Sequence, residues 1–186
     1  MDGAWSPLVS ISHHTTLESL MESSFQHGTR RVDNGEFERS DSDSTQAAAT
    51  LAASARIPIP VLANSKPSFS IGDQSPNEVE VTLPFSGNAD VVNLFLKNKS
   101  FRGTTHATVS VSQYGSVKFK VFAAQSNQET KEKIDGAIQL IRDAWASGVS
   151  ELESYNSGLV ERYTQYLDQR QQVVSNRRSL LEFLND

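Results

Sequence analysis

Between Asn127 and Leu184, apolar residues recur at steps of three and four: Ile134, Ile138, Ile141, Trp145, Val149, Leu152, Leu159, Tyr163, Tyr166, Val173, Val174, Leu181 and Leu184. That spacing puts them on one face of a helix, with largely charged residues and Gln between them. At about 1.5 Å per residue, an unbroken helix over this span would reach about 85 Å, well beyond a small domain. Such a helix must fold back or find a partner. The stretch Tyr155-Asn156-Ser157-Gly158 offers a break, because Asn and Gly tolerate the left-handed conformation that ends helices, and Gly148 is a second weak point. The spacing predicts a first helix packed on the rest of the domain and a second that continues or turns away as a helical or coiled-coil arm. One unbroken helix pairing with a second copy is the alternative.

The first helix needs something to cover, and the preceding segment supplies it. Val79, Val81, Leu83 and Phe85 alternate with Glu78, Glu80 and Thr82, the period-two pattern of a strand with one buried face. Pro84 has no N–H, so the strand is expected to be an edge there or to end there. Ala107, Val109 and Val111, then Val117, Phe119 and Val121, alternate on either side of Gln113-Tyr-Gly-Ser116, which predicts an antiparallel hairpin. With Ser68 to Ile71 added, three to four strands are expected. A short helix over Asp90 to Lys97, capped by Asn88, is expected between strand and hairpin. The fold class is therefore α+β: a small antiparallel sheet covered by helix, with a long C-terminal arm.

The first 56 residues show no sustained period. Asp33 to Thr45, "DNGEFERSDSDST", is acidic and rich in turn formers, which predicts loop or disorder. A short helix around Thr15 to Ser24 is compatible with Leu17, Leu20 and Met21. The prolines of "RIPIPVLANSKP" (56–67) read as an extended connector. Three segments follow: a flexible acidic N-terminal stretch at 1–56, an α+β domain at 57–150 and a helical arm at 151–186.

Composition narrows the function classes. The absence of cysteine removes disulfides, thiolate metal sites and cysteine nucleophiles. Ala47 to Ala55 is internal and too weakly apolar for a signal peptide or a span, so a cytoplasmic location is expected. Ser86-Gly87-Asn88 precedes a helix, yet it has one glycine and no following Lys-Ser/Thr, so it matches no phosphate-binding loop and reads as a corner. His13, His14, His27 and His106 lack the spacing of a metal site, and no serine lies in a nucleophile elbow. No catalytic, metal-binding or cofactor-binding residue is assigned, and no cofactor is expected.

Two candidate contact surfaces remain. Residues 57–126 carry six Lys/Arg against four Asp/Glu in a chain of net charge -5. Lys97, Lys99, Phe101 and Arg102, with Lys118 and Lys120 on the hairpin, are the candidates for nucleic-acid contact, since cations meet phosphate while an aromatic ring stacks on a base. Lysine on an exposed strand also serves to block edge aggregation. Leu159, Tyr163, Tyr166, Val173, Val174 and Leu181 are the candidates for contact with a partner helix.

The order of "VEVTLPFSGNADVVNLF" (79–95), the hairpin, "IDGAIQLI" (134–141) and "SYNSGLVERYTQYLDQRQQVVSNRRSLL" (154–181) resembles the N-terminal region of a family of uncharacterised bacterial proteins that carry a C-terminal restriction-endonuclease-like domain. The resemblance implies an accessory module of a defence-type protein. The Asp and Glu-x-Lys residues of the nuclease domain have no counterpart here, so none is carried over. The expected function is a non-catalytic interaction or oligomerisation module, with a protein partner or a second copy on the C-terminal helix and no membrane. The alternative is an accessory module that touches nucleic acid.

Overall fold

Alternating side chains build the sheet, and a computed structural model shows how far each alternation extends. It describes residues 16–33, 44–72, 75–97 and 109–185. In chain order these form α1 (Leu17–Asp33), α2 (Ser44–Ala55), β1 (Val61–Leu62), β2 (Ser68–Gly72), β3 (Ser75–Ser86), α3 (Ala89–Lys97), β4 (Ser110–Ser112), β5 (Ser116–Phe122) and α4 (Asn127–Asn185). The chain divides into two compact units, one containing Pro58–Leu152 and the other containing Glu18–Ile57 with Glu153–Asp186. Each unit is described by itself.

The Pro58–Leu152 unit holds one antiparallel sheet of five strands. β3 is its centre, with β5 on one edge, β4 beyond β5, and β1 and β2 sharing the other edge. Val81, Leu83 and Phe85 of β3 and Val117, Phe119 and Val121 of β5 are buried on one face. Ile134, Ile138, Ile141 and Trp145 of α4 and five apolar side chains of α3, Val91, Val92, Leu94, Phe95 and Leu96, complete the core. The Trp145 ring lies 5.6 Å from that of Phe85 and 5.8 Å, edge-on, from that of Phe95, an arrangement that adds to area burial through the ring quadrupoles. Asn88 caps α3: its Oδ1 accepts from the N–H groups of Asp90 (2.8 Å) and Val91 (3.3 Å). The turn before it needs Gly87, whose φ is 114° and where a Cβ would press on Pro60.

Pro84 does not end the strand. β3 runs on to Ser86, with Pro84 opposite Ser116 of the neighbouring β5. Phe85 N–H donates to Gly115 O at 2.8 Å, so the alternation of an antiparallel ladder turns the backbone groups of Pro84 toward the opposite edge. There Ala63 N–H donates to Pro84 O at 2.9 Å, and Pro84 has no N–H to return. This falls where β1 stops and β2 has not begun, so the missing donor costs the sheet little. The β4–β5 turn is closed by Gly115 N–H on Ser112 O at 3.1 Å.

The second unit is a packing of three helical segments. The 1–56 stretch, expected to be flexible, contributes α1 and α2. Alanine is the best helix former, and Ala48, Leu51, Ala52 and Ala55 bury one small-residue face of α2. On α1 the buried positions Leu20, Ser24, Gly28 and Val32 recur every fourth residue. Facing them are Tyr155, Leu159, Tyr163 and Leu167 of α4, all buried. The expected break at Tyr155–Gly158 does not occur, because α4 is continuous over its 59 residues. Asn156 uses its amide on Ile57 instead of terminating the helix.

Candidate interaction surface

The polar interior of the second unit is closed by side chains on α1 and α4. Ser24 Oγ donates to Ala55 O at 2.8 Å, and the Tyr155 hydroxyl approaches the same oxygen at 3.4 Å. This serves one of the last carbonyls of α2, which has no helical donor. The Tyr163 hydroxyl donates to Phe25 O at 2.9 Å, and the two rings lie 4.7 Å apart. Arg162 stacks over Phe25 with its guanidinium 4.0 Å from the ring centre, while Nη2 meets Glu22 Oε2 at 3.2 Å. Burial pushes both tyrosine hydroxyls above their ordinary range, Tyr163 the further.

Of the six residues expected to meet a partner helix, Leu159 and Tyr163 are therefore occupied within the chain. Tyr166 is half-buried, and Val173, Val174 and Leu181 are exposed. Spacing places these residues on one helical face but does not show where the cover of that face stops. Among the described residues, every one from 171 to 185 is exposed. That stretch carries six large apolar side chains: Val173, Val174, Leu180, Leu181, Phe183 and Leu184. Leu180 and Phe183 were missed; the signal for them was the apolar density of "LLEFL" at 180–184.

The basic candidates fare differently. Lys99, Phe101 and Arg102 lie outside the described residues. Lys97 is exposed at the C-terminal end of α3, where a cation suits the partial charge of the free carbonyls. Lys118 and Lys120 project from the exposed face of β5 toward carboxylates of β3: Lys118 Nζ to Glu80 Oε1 at 3.4 Å and Lys120 Nζ to Glu78 Oε2 at 2.9 Å. The hydrogen bond to Glu78, with that carboxylate's charge, raises the pKa of Lys120. The face is thus a ladder of alternating charge.

Among the described residues no group of three His, Asp or Glu side chains is placed to hold a metal ion, and no helix is long and apolar enough to cross a membrane. Comparison with protein-family models, with curated proteins and with solved structures gives no match for this chain.

Proposed function

We propose that the chain is a non-catalytic protein-interaction module, and that the end of α4 beyond Arg170 is where a helix of a partner or of a second copy docks. The observation that supports this reading is the continuation of one stripe. The face that α1 and α2 cover as far as Leu167 goes on to Val174, Leu181 and Leu184 without cover among the described residues. A helical segment of about 15 residues is marginal in water without tertiary contacts. Six large apolar side chains within it form a patch of the kind that marks an interaction site.

The test is sedimentation of the whole chain combined with hydrogen exchange over 171–185. Association that protects these amides, and that Leu181→Glu with Leu184→Glu abolishes, is the expected result. A monomer at micromolar concentration whose 171–185 amides are already fully protected would overturn the reading.

A further inference from the structure

A different element, in the other unit, carries a separate inference. β2 pairs with β3 along one edge and, among the described residues, with nothing along the other. Its register is Ser68 opposite Thr82, Phe69 opposite Val81, Ser70 opposite Glu80 and Ile71 opposite Val79. Because Phe85 N–H donates to Gly115 of β5, the odd-numbered residues of β3 turn their backbone groups toward β5 and the even-numbered ones toward β2. Ser68 and Ser70, opposite even-numbered residues, therefore spend their amides on β3. The N–H and C=O groups of Phe69 and Ile71 point away from the sheet.

The same two residues have exposed side chains, Phe69 at 57% and Ile71 at 63%, although they lie on the sheet face that buries Val81, Val117 and Phe119. Ser68–Gly72 contains no charged residue and no proline, the usual devices that keep an edge strand unpaired. The sheet's charges sit instead on Glu78, Glu80, Lys118 and Lys120, where they neutralise one another.

We propose that β2 is a pairing edge for a second copy of this chain, the two β2 strands running antiparallel about a two-fold axis at Ser70. In that register Phe69 faces the partner copy's Ile71, and the converse pair repeats it. All four outward backbone groups on each strand are then satisfied, and the exposed apolar side chains join across the new seam. Neighbouring registers fail: an axis at Phe69 sets Ile71 against Pro67, which has no N–H, and an axis at Ile71 runs into the bulge between Ile71 and Gly72. At the axis two small serines meet, so no like charges oppose each other. The pattern matches itself under two-fold symmetry, which selects a second copy as the occupant. Five-residue strands bury less than the roughly 1,200 Å² of a stable interface, so the pairing is weak and is read best by covalent capture.

The chain has no cysteine, so Ser70→Cys introduces a single thiol on the axis. The Ser70 pair is of the non-hydrogen-bonded type, close enough for a disulfide. The experiment is run in the Leu181→Glu, Leu184→Glu background, so that it is independent of the α4 surface. At high micromolar protein and mild oxidation, Ser70→Cys forms a disulfide dimer, whereas Gln125→Cys, at an exposed position between β5 and α4 and off this edge, does not. Adding Phe69→Lys and Ile71→Lys lowers the cross-linking rate by roughly tenfold through like-charge opposition. Phe69→Glu with Ile71→Lys restores it, because each glutamate then faces a lysine of the other copy. Cross-linking of Ser70→Cys no faster than that of Gln125→Cys, or indifference to the paired lysines, overturns the proposal; an unrelated extended peptide as occupant would give that same outcome.

Discussion

Asn156 reads both backbone groups of Ile57: its Oδ1 accepts from Ile57 N–H at 3.0 Å and its Nδ2 donates to Ile57 O at 2.8 Å. Ile57 is 1% exposed and lies just past α2, where no ladder or helix serves its amide. A single side-chain amide thus does what a neighbouring strand would do. Removing it strands a donor and an acceptor together. Asn156→Ala is expected to lower stability by about 2 to 3 kcal/mol in urea denaturation. Asn156→Asp keeps the acceptor but sets a carboxylate against the carbonyl, so it is expected to be no better than alanine. An unchanged midpoint for both variants would show that water replaces the amide without loss.

Three glycines within helices predict opposite signs for one substitution. A Cβ at Gly158 meets nothing within 4 Å, whereas one at Gly148 would overlap the Phe95 ring and one at Gly28 the Tyr163 ring. Gly158→Ala is therefore expected to stabilise by about 0.5 to 1 kcal/mol, the difference in helix propensity. Gly148→Ala and Gly28→Ala are expected to destabilise by about 1 to 3 kcal/mol, because buried rings must shift. Thermal midpoints of the three variants, measured side by side, check the ordering.

The same residues show what sequence alone carries. The strand Val79–Phe85, the hairpin at Gln113–Ser116, the Asn88 cap and the helical stripe rest on neighbours in sequence, and each is legible from spacing. The helix at Ser44–Ala55 was not, since its alanines form a buried face only opposite α1 and Tyr155, and Tyr155 lies about a hundred residues further on. Gly158 was misjudged for a related reason: its permissiveness is local, whereas the packing of Leu159 and Tyr163 that keeps the helix going is tertiary. Pro84 looked like a strand end because a missing donor matters only if a partner faces it, and which edge it faces depends on the register. For the proposed docking surface, Val173, Val174 and Leu181 are legible as members of the stripe. That Leu159 and Tyr163 belong to the core was not.

Alkaline pH should probe the buried tyrosines. Both Tyr155 and Tyr163 have hydroxyl pKa values raised by burial, so above about pH 10 the unfolded chain loses protons that the folded chain retains. A folded pKa above the unfolded one means stability that is complete below pH 10 and declines as pH rises. Each such tyrosine contributes a slope of about 1.4 kcal/mol per pH unit. Tyr163→Phe loses the bond to Phe25 O, about 1 kcal/mol at neutral pH, and is expected to shallow the alkaline decline. Denaturation midpoints from pH 8 to about pH 11 measure both effects; a slope unaltered by the substitution would place the titration elsewhere.

Along one stripe of α4, position decides whether an apolar side chain supports the fold. Leu159 and Leu167 are only 1% and 7% exposed, while Leu181 and Leu184 are 61% and 67% exposed. Truncating the first pair removes core contacts, so Leu159→Ala and Leu167→Ala are each expected to cost about 2 to 4 kcal/mol. Truncating the second pair removes little from a single chain, and Leu181→Ala or Leu184→Ala is expected to stay within about 0.5 kcal/mol at low concentration. Any larger penalty that grows with protein concentration, or with an added partner, measures the docking itself through mass action. A large penalty that is independent of concentration would instead mean that the chain buries this end of the helix on itself.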